Sequence, residues 1–148
     1  MNVCIEKIEN YEDERVKIEC VQVTKEVSSI VTFVKSLGDA IIGHVSGRAY
    51  SLNLRDIIYF EAIDEEVFAY TNNKSYEIKS RLYELEKMYF EQQFIRCSKS
   101  YVINLMALDS VSPALNGRFI AHMNNHQKII ISRQYVKPLK EKLNGGQS

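Results

Sequence analysis

Serine, histidine and cysteine side chains could support nucleophilic or metal chemistry at three places in the sequence. Gly43-His44-Val45-Ser46-Gly47 superficially resembles a nucleophile elbow, but its serine follows the first glycine by three residues, where G-x-S-x-G requires two. His122 and His126 would share one face only on a helix, whereas the pattern around them predicts an exposed hairpin. Cys97 has no sequence neighbour that would stabilise a thiolate. We therefore expect no catalytic residue, no metal site and no enzymatic activity.

The ionisable side chains are unevenly distributed along the 148-residue chain. Its 19 Lys and Arg balance its 19 Asp and Glu, so the formal net charge is zero. Residues 1–91, however, contain 17 acidic and 11 basic side chains, whereas residues 92–148 contain 2 acidic and 8 basic ones. The C-terminal two-fifths of the chain is therefore a strongly basic segment.

The basic segment could bind phosphates if its loops converged at one end of a β structure, because clustered cations and hydroxyls suit phosphate contacts and counterion release. The alternative is a set of solvated side chains on unrelated faces, and periodicity does not decide between the two. The basic residues fall in three places: Arg96 and Lys99; Arg118 and Lys128 in the late hairpins; and Arg133, Lys137, Lys140 and Lys142 on the last element.

The overall composition is that of a folded cytoplasmic protein, with 45% hydrophobic and 26% charged residues, two Pro and six Gly. No apolar run approaches the roughly 18 residues that a membrane span needs, and the first residues lack the pattern of a signal peptide. Three cysteines without C-x-x-C spacing argue against a disulfide framework and a zinc ribbon. No glycine-rich phosphate loop is present, so we expect no cofactor and no membrane insertion.

Residues 1–38 predict a small β-β-α extension. Apolar residues alternate in two short runs, which indicates two strands joined by an acidic hairpin loop. Thr24 can cap a following helix with one apolar face, and Gly38 can end it. The alternating residues are Val3 and Ile5, then Val16, Ile18 and Cys20, and the helix face consists of Val27, Ile30, Val31, Val34 and Leu37.

Residues 39–145 predict a meander of short antiparallel strands with little helix. Turn residues separate the strands, and Asn116-Gly117 is the strongest hairpin signal in the sequence. A short helix follows Ser80 as its cap, and a last helix over residues 133–143 should be kinked or shortened at Pro138. The predicted strands are residues 41–45, 50–54, 57–60, 67–70, 76–78, 94–97, 101–105, 110–115, 119–123 and 128–132.

Several motifs, in order from about residue 41 to residue 143, resemble the LytTR DNA-binding domain of bacterial transcription regulators. The most specific part is an F-x-R-x-x-x-S-x-x-x-N block, which is followed about 30 residues later by S-R-x-Y. The matching segments are Ile57-Ile58-Tyr59-Phe60-Glu61-Ala62, Tyr76-Glu77-Ile78-Lys79, Leu82-x-x-Leu85-Glu86, Phe94-Ile95-Arg96-Cys97-Ser98-Lys99-Ser100-Tyr101-Val102-Ile103-Asn104-Leu105, Asn116-Gly117-Arg118 and Ile131-Ser132-Arg133-x-Tyr135-Val136-x-x-Leu139-Lys140.

The resemblance implies an elongated, mostly antiparallel β structure whose loops, and not a recognition helix, enter successive major grooves of promoter DNA. Its contact points would be the loop Asp64-Glu65-Glu66, the turn Ser98-Lys99-Ser100 and Arg133. Arg133 has the fork that bonds guanine, and Lys99 can reach guanine or phosphate. Ser98, Ser100, Lys137 and Arg118 would contact phosphates, while Glu65 or Glu66 could accept a hydrogen bond from cytosine or point to solvent.

Two departures from the family pattern limit how far the family's DNA contacts can be assigned to residues of this chain. Many members have His-Arg or His-Asn where this chain has Ser98-Lys99, so the base preference at that point does not transfer. The first loop is also acidic here. Glu61, Arg96 and Asn104 match family positions as well, and we interpret Glu61 and Asn104 as structural residues.

The resemblance predicts a stand-alone regulator, because 38 residues are too few for the receiver domain that many members carry. We expect the extension to pack on the core and to supply the surface of a homodimer, which would bind paired half-sites. The alternative from another functional class is a non-catalytic protein-interaction module with a LytTR-like fold that no longer binds DNA.

Overall fold

The computed structural model describes residues 1–10, 13–36 and 39–144. In the described part of residues 1–24 there is no strand, so the prediction of two strands in the extension is wrong. The helix of the extension does form, as α1 (Lys25–Ser36), and the Thr24 hydroxyl accepts a hydrogen bond from the Val27 amide at 3.2 Å, as predicted for the cap. Leu37 and Gly38, expected to complete and to end this helix, lie outside the described residues.

A seven-stranded antiparallel sheet forms the centre of the molecule, with the spatial order β2-β1-β5-β4-β3-β7-β6. Tight turns join β1 to β2, β3 to β4, β4 to β5 and β6 to β7, whereas a short 3₁₀ helix (Leu54–Asp56) lies between β2 and β3 and α2 (Leu82–Met88) connects β5 to β6. The strands are β1 (Ala40–Val45), β2 (Arg48–Asn53), β3 (Tyr59–Ile63), β4 (Glu66–Tyr70), β5 (Ser75–Ile78), β6 (Phe94–Arg96) and β7 (Tyr101–Asn104).

A second, three-stranded antiparallel sheet has the order β10-β9-β8, and a C-terminal helix follows it. Its elements are β8 (Leu108–Pro113), β9 (Phe119–Met123), β10 (Lys128–Ile131) and α3 (Arg133–Leu143). The strand-rich architecture with short helices confirms the fold class predicted for the core. Pro138 lies inside α3 and does not shorten it, so of the two predicted effects, a kink or a shortened helix, the second is wrong.

Alternating side chains of the large sheet contribute to two separate hydrophobic cores. Phe60, Phe94 and Val102 pack with the apolar face of α2. Their neighbours in the chain point to the opposite face, where Ile95 and Ile103 pack against the small sheet and Leu139 of α3. Because the central strands are covered on both faces, the turns at their ends are held on a rigid support.

The turn between β1 and β2 accounts for the segment that resembles a nucleophile elbow. Ser46 and Gly47 both have positive φ, at 50° and 79°. Two consecutive residues of this kind form the tight hairpin turn whose twist matches the flanking strands. The prediction of a hairpin at this position is therefore confirmed.

The start of α2 differs from the prediction by one residue. Arg81, and not Ser80, is the cap, and its amide donates to the Glu84 carboxylate at 2.9 Å. The Glu84 carboxylate thus accepts a hydrogen bond from an amide that has no acceptor within the helix. The side chain of Arg81 is exposed and lies at the edge of the site described below.

Candidate nucleic-acid interface

Three loops meet at one end of the molecule through hydrogen bonds between backbone atoms. The amide of Ala62, beside the β3–β4 turn, donates to the carbonyl of Ser100 in the β6–β7 turn at 2.8 Å. The amide of Ser132, between β10 and α3, donates to the carbonyl of Cys97 at 2.8 Å. The structure thus brings together the three segments that the sequence marked as contact points.

The β6–β7 turn is shaped by the guanidinium group of Arg96. Its Nε donates to the carbonyl of Ser98 at 2.7 Å, and Nη2 donates to the carbonyl of Lys99 at 2.8 Å. The third nitrogen, Nη1, lies 3.2 Å from the Glu86 carboxylate on α2. Because both carbonyls are held from inside, the side chain of Lys99 is directed outward and is exposed. Arg96 is therefore a positioning residue of this turn.

The two serines of the same turn have different surroundings. The hydroxyl oxygen of Ser98 accepts a hydrogen bond from the Ser100 amide at 3.2 Å. Since an accepting hydroxyl still carries its own hydrogen, Ser98 can also donate outward. The carbonyl of Ser100 is used in the contact with Ala62, and both serine side chains are half-buried.

A cavity of about 220 Å³ lies between the β3–β4 turn and the β6–β7 turn. Asp64 and Glu65 form the first turn, Asp64 with a positive φ of 58°, whereas Glu66 is already the first residue of β4. Lys99 lines the opposite wall, and Arg81 stands beside it. Arg81 was missed in the sequence because it belongs to the acidic part of the chain.

Arg133, the first residue of α3, lies against the hairpin turn between β8 and β9. Asn116 and Gly117 of this turn have positive φ of 62° and 76°, which fits the Asn-Gly signal. A Cβ added at Gly117 would come within 2.9 Å of Arg133 Cδ. Arg118 follows the turn and lines the same shallow depression as Arg133. Both guanidinium groups are exposed.

The remaining basic residues are only partly brought together. Lys137 lies one helical turn after Arg133 and is exposed. Lys140 and Lys142, in contrast, lie over the rings of Phe119 and Phe90, at 4.2 and 3.8 Å from the ring centres. Lys128 begins β10 at the end opposite Arg118, so for this residue the alternative of a solvated side chain on another face is the correct one.

Within residues 1–10, 13–36 and 39–144, the four cations Lys99, Arg118, Arg133 and Lys137 form no ion pair. An unpaired, exposed cation keeps its full charge available to a ligand, and no internal contact has to break before it binds. This end of the molecule is therefore suited to a polyanion.

Glu61 and Asn104 match the interpretation as structural residues. The Tyr101 hydroxyl donates to Glu61 Oε2 at 2.6 Å. Burial, followed by the hydrogen bond to Glu61, raises the pKa of Tyr70 to about 12 and also raises that of Tyr101. Asn104 is buried, donates to the Ile57 carbonyl at 2.9 Å and accepts from the Met106 amide at 2.9 Å. Both side chains are thus engaged in contacts within the fold.

Burial or a local contact occupies Cys97 and His122, two of the side chains that could have supported enzymatic chemistry. Cys97 is fully buried, and burial raises the pKa of its thiol to about 12. His122 is half-buried and its Nε2 lies 2.7 Å from the Ser112 hydroxyl, so the prediction that it is exposed is wrong, whereas His126 is exposed. In the part of the chain that the structure describes, no three His, Cys, Asp or Glu side chains are placed to hold a metal ion.

Within the described ranges, no helix combines the length and the apolar character that crossing a bilayer requires.

The three helices α1, α2 and α3 are separated from one another by strands, so the described residues contain no pair of consecutive helices.

Comparison with known proteins identifies a family and several relatives. The family model of the LytTr DNA-binding domain matches residues 47–144. A protein of Staphylococcus aureus strain NCTC 8325, described as an HTH-type transcriptional regulator, is 31% identical over 136 residues, which cover 90% of this chain and 92% of that protein. A similarly described protein of strain MW2 is 34% identical over 119 residues, covering 79% and 80% of the two chains.

Among solved structures, the fold is similar to the LytTr DNA-binding domain of a Bacillus cereus protein, with a TM-score of 0.67. The match covers 70% of this chain and 95% of that domain at 20% sequence identity, so it concerns the fold alone.

Proposed function

The chain belongs to the LytTR DNA-binding domain family, and on that premise we propose that it is a sequence-specific DNA-binding transcriptional regulator. Its ligand is double-stranded promoter DNA, and its loops enter successive major grooves. The observation that carries the proposal is the convergence of Lys99 and Arg133, both exposed and without an ion pair among the described residues, on one rigid end of the sheet.

The two residues proposed to read bases are Arg133 and Lys99. The planar fork of Arg133 can donate two hydrogen bonds to O6 and N7 of one guanine. Lys99 stands at the tip of a turn whose backbone is held by Arg96, so only its side chain, and not the backbone, has to be ordered when it reaches a guanine acceptor. Because Arg133 and Lys99 belong to different loops, each can contact its own part of the duplex.

The remaining contacts go to the DNA backbone. Ser98 and Ser100 offer hydroxyl groups beside Lys99, and Arg118 and Lys137 flank Arg133 with positive charge. Such contacts fix the register of a protein on the duplex and supply the salt-dependent part of the affinity. Arg81, at the edge of the cavity beside Lys99, is a further phosphate contact in this proposal.

The acidic turn restricts where the duplex can lie. Glu65 is at the tip of the β3–β4 turn and Glu66 begins the next strand, so their side chains leave the backbone in different directions. One of them can accept from the amino group of cytosine in the major groove, while the other points to solvent. A carboxylate placed among the cations repels the phosphates of DNA. This part of the site therefore favours contacts with the edges of the bases.

A salt titration of DNA binding tests the proposal against the alternative of a protein-interaction module. With fluorescent promoter DNA, we expect affinity to fall steeply between about 50 and 200 mM salt, since several cations displace counterions. A scrambled duplex of equal length should bind more weakly at every salt concentration. The absence of measurable binding to either duplex at low salt would favour the alternative.

A further inference from the structure

Residues 14–23 form a segment without a partner in the fold. No backbone hydrogen bond joins them to any other described residue, and they belong to neither sheet. Val16 and Val21 are exposed at 63% and 102%, although valine is usually buried in folded proteins. A run of strand-forming residues with both backbone edges open is a ready template for pairing.

The segment has two chemically distinct faces when it is extended. Val16, Ile18 and Cys20 alternate on one face. Lys17 and Glu19 lie on the other, where their side chains form an ion pair at 3.5 Å. Side chains two residues apart share one face of an extended backbone, so this contact is the one expected if the segment forms a strand.

We propose that residues 14–22 pair with the same residues of a second copy of the chain, as two antiparallel strands related by a twofold axis at Ile18. In this register Ile18 faces Ile18 of the partner subunit, and Val16 faces Cys20. Lys17 then lies opposite Glu19 twice, once on each side of the axis. The segment is thus complementary to itself in both charge and apolar surface.

The negative charge of the extension favours a protein over DNA as its binding partner. Residues 1–24 carry six acidic and three basic side chains, so DNA would be repelled. The segment also precedes residues 47–144, which match the family model, and is joined to them through α1. Pairing can therefore link two copies without covering the loops of the candidate interface. The inference does not depend on DNA binding, because it concerns the free protein.

Disulfide trapping of the full chain tests the register. In a Cys4→Ser, Cys20→Ser background, Ile18→Cys places one thiol of each copy at the axis, at the separation a disulfide requires. Val23→Cys is the matched control, because five residues from the axis its two thiols would be about 34 Å apart. We expect Ile18→Cys to give a covalent dimer under mild oxidation and Val23→Cys to give little.

A charge exchange provides a second measurement in the same Ile18→Cys background. Lys17→Glu should lower the rate of trapping about 3- to 10-fold, because it creates two like-charge pairs across the strands. Adding Glu19→Lys restores opposite charges and should restore the rate. Equal trapping of Ile18→Cys and Val23→Cys, trapping of neither, or a rate that the double exchange does not restore would overturn the proposal.

Discussion

Gly117 lies directly against the side chain of Arg133, so closely that a Cβ at this position would come 2.9 Å from Arg133 Cδ and 3.2 Å from Cγ. The hairpin turn therefore supports the stem of the arginine from one side. Because the stem is already restrained, the guanidinium group loses fewer conformations when it binds.

Gly117→Ala should weaken binding to the specific DNA site about tenfold or more, because the added methyl group forces the stem of Arg133 to shift. The positive φ of 76° adds a strain of about 1 to 2 kcal/mol to the folded state. Gly47→Ala is the matched control, since its φ of 79° imposes similar strain while nothing lies within 4 Å. The prediction fails if both variants lose the same stability and bind DNA equally well.

Arg133→Ala and Lys137→Ala should affect DNA binding in different ways. Loss of the guanidinium should cost about 1 to 3 kcal/mol on the specific site and little on scrambled DNA, because it removes base contacts. Loss of the Lys137 ammonium should weaken both duplexes alike and lower the salt slope by about one unit. Binding isotherms at several salt concentrations distinguish them, and equal losses on both duplexes for Arg133→Ala would refute its role.

Arg96→Lys should weaken DNA binding by releasing the turn that carries Lys99. The lysine keeps the charge near Glu86 but has no fork to hold the carbonyls of Ser98 and Lys99 together. Arg48→Lys, an exposed change in β2, is a suitable control.

A double-mutant cycle separates positioning by Arg96 from a merely structural effect. If Arg96 acts through Lys99, the Arg96→Lys and Lys99→Ala losses in DNA affinity overlap when the two changes are combined. Fully additive losses would contradict the positioning role.

Cys97 should be unreactive toward thiol reagents at pH 8 in the folded protein. Its pKa of about 12 means that about one thiol in 10⁴ is ionised at this pH, and the side chain is also fully buried. Cys4 and Cys20 are exposed and should react. Titration with a chromogenic disulfide should therefore count two thiols in buffer and three in denaturant. Three fast thiols in buffer would show that the core opens near the β6–β7 turn.

Local sequence patterns predicted the strands of the core well, because alternation and turn residues act within a few positions of one another. The pair Ser46 and Gly47 is an example, since its two residues suffice to specify a hairpin. The same alternation at Val3 and Val16 failed, because a strand also needs a neighbour and the described part of residues 1–24 finds none within the chain. The shift of the α2 cap to Arg81 came from the Glu84 carboxylate, a competing local contact.

The sequence suggested residues for the candidate site but not their arrangement. The resemblance to a family pointed to Lys99 and Arg133, whereas periodicity could not show that Gly117 touches Arg133 across 16 positions of the chain. Net charge by segment also misled in two cases. It counted Lys128 in the same basic segment as the interface residues although Lys128 lies at the end of β10 opposite Arg118, and it hid Arg81 among acidic neighbours. Contacts distant in sequence are decided by the packing of the sheets.

The hydrogen bonds that hold the three loops together, from Ala62 to Ser100 and from Ser132 to Cys97, use only backbone atoms. Any residue other than proline can donate through its amide, so these two contacts do not depend on the side chains at the loop tips. The tip residues Glu65, Lys99 and Arg133 can consequently be substituted without loss of these backbone contacts. A protein engineer could randomise them to obtain new operator preferences while the scaffold beneath keeps its stability.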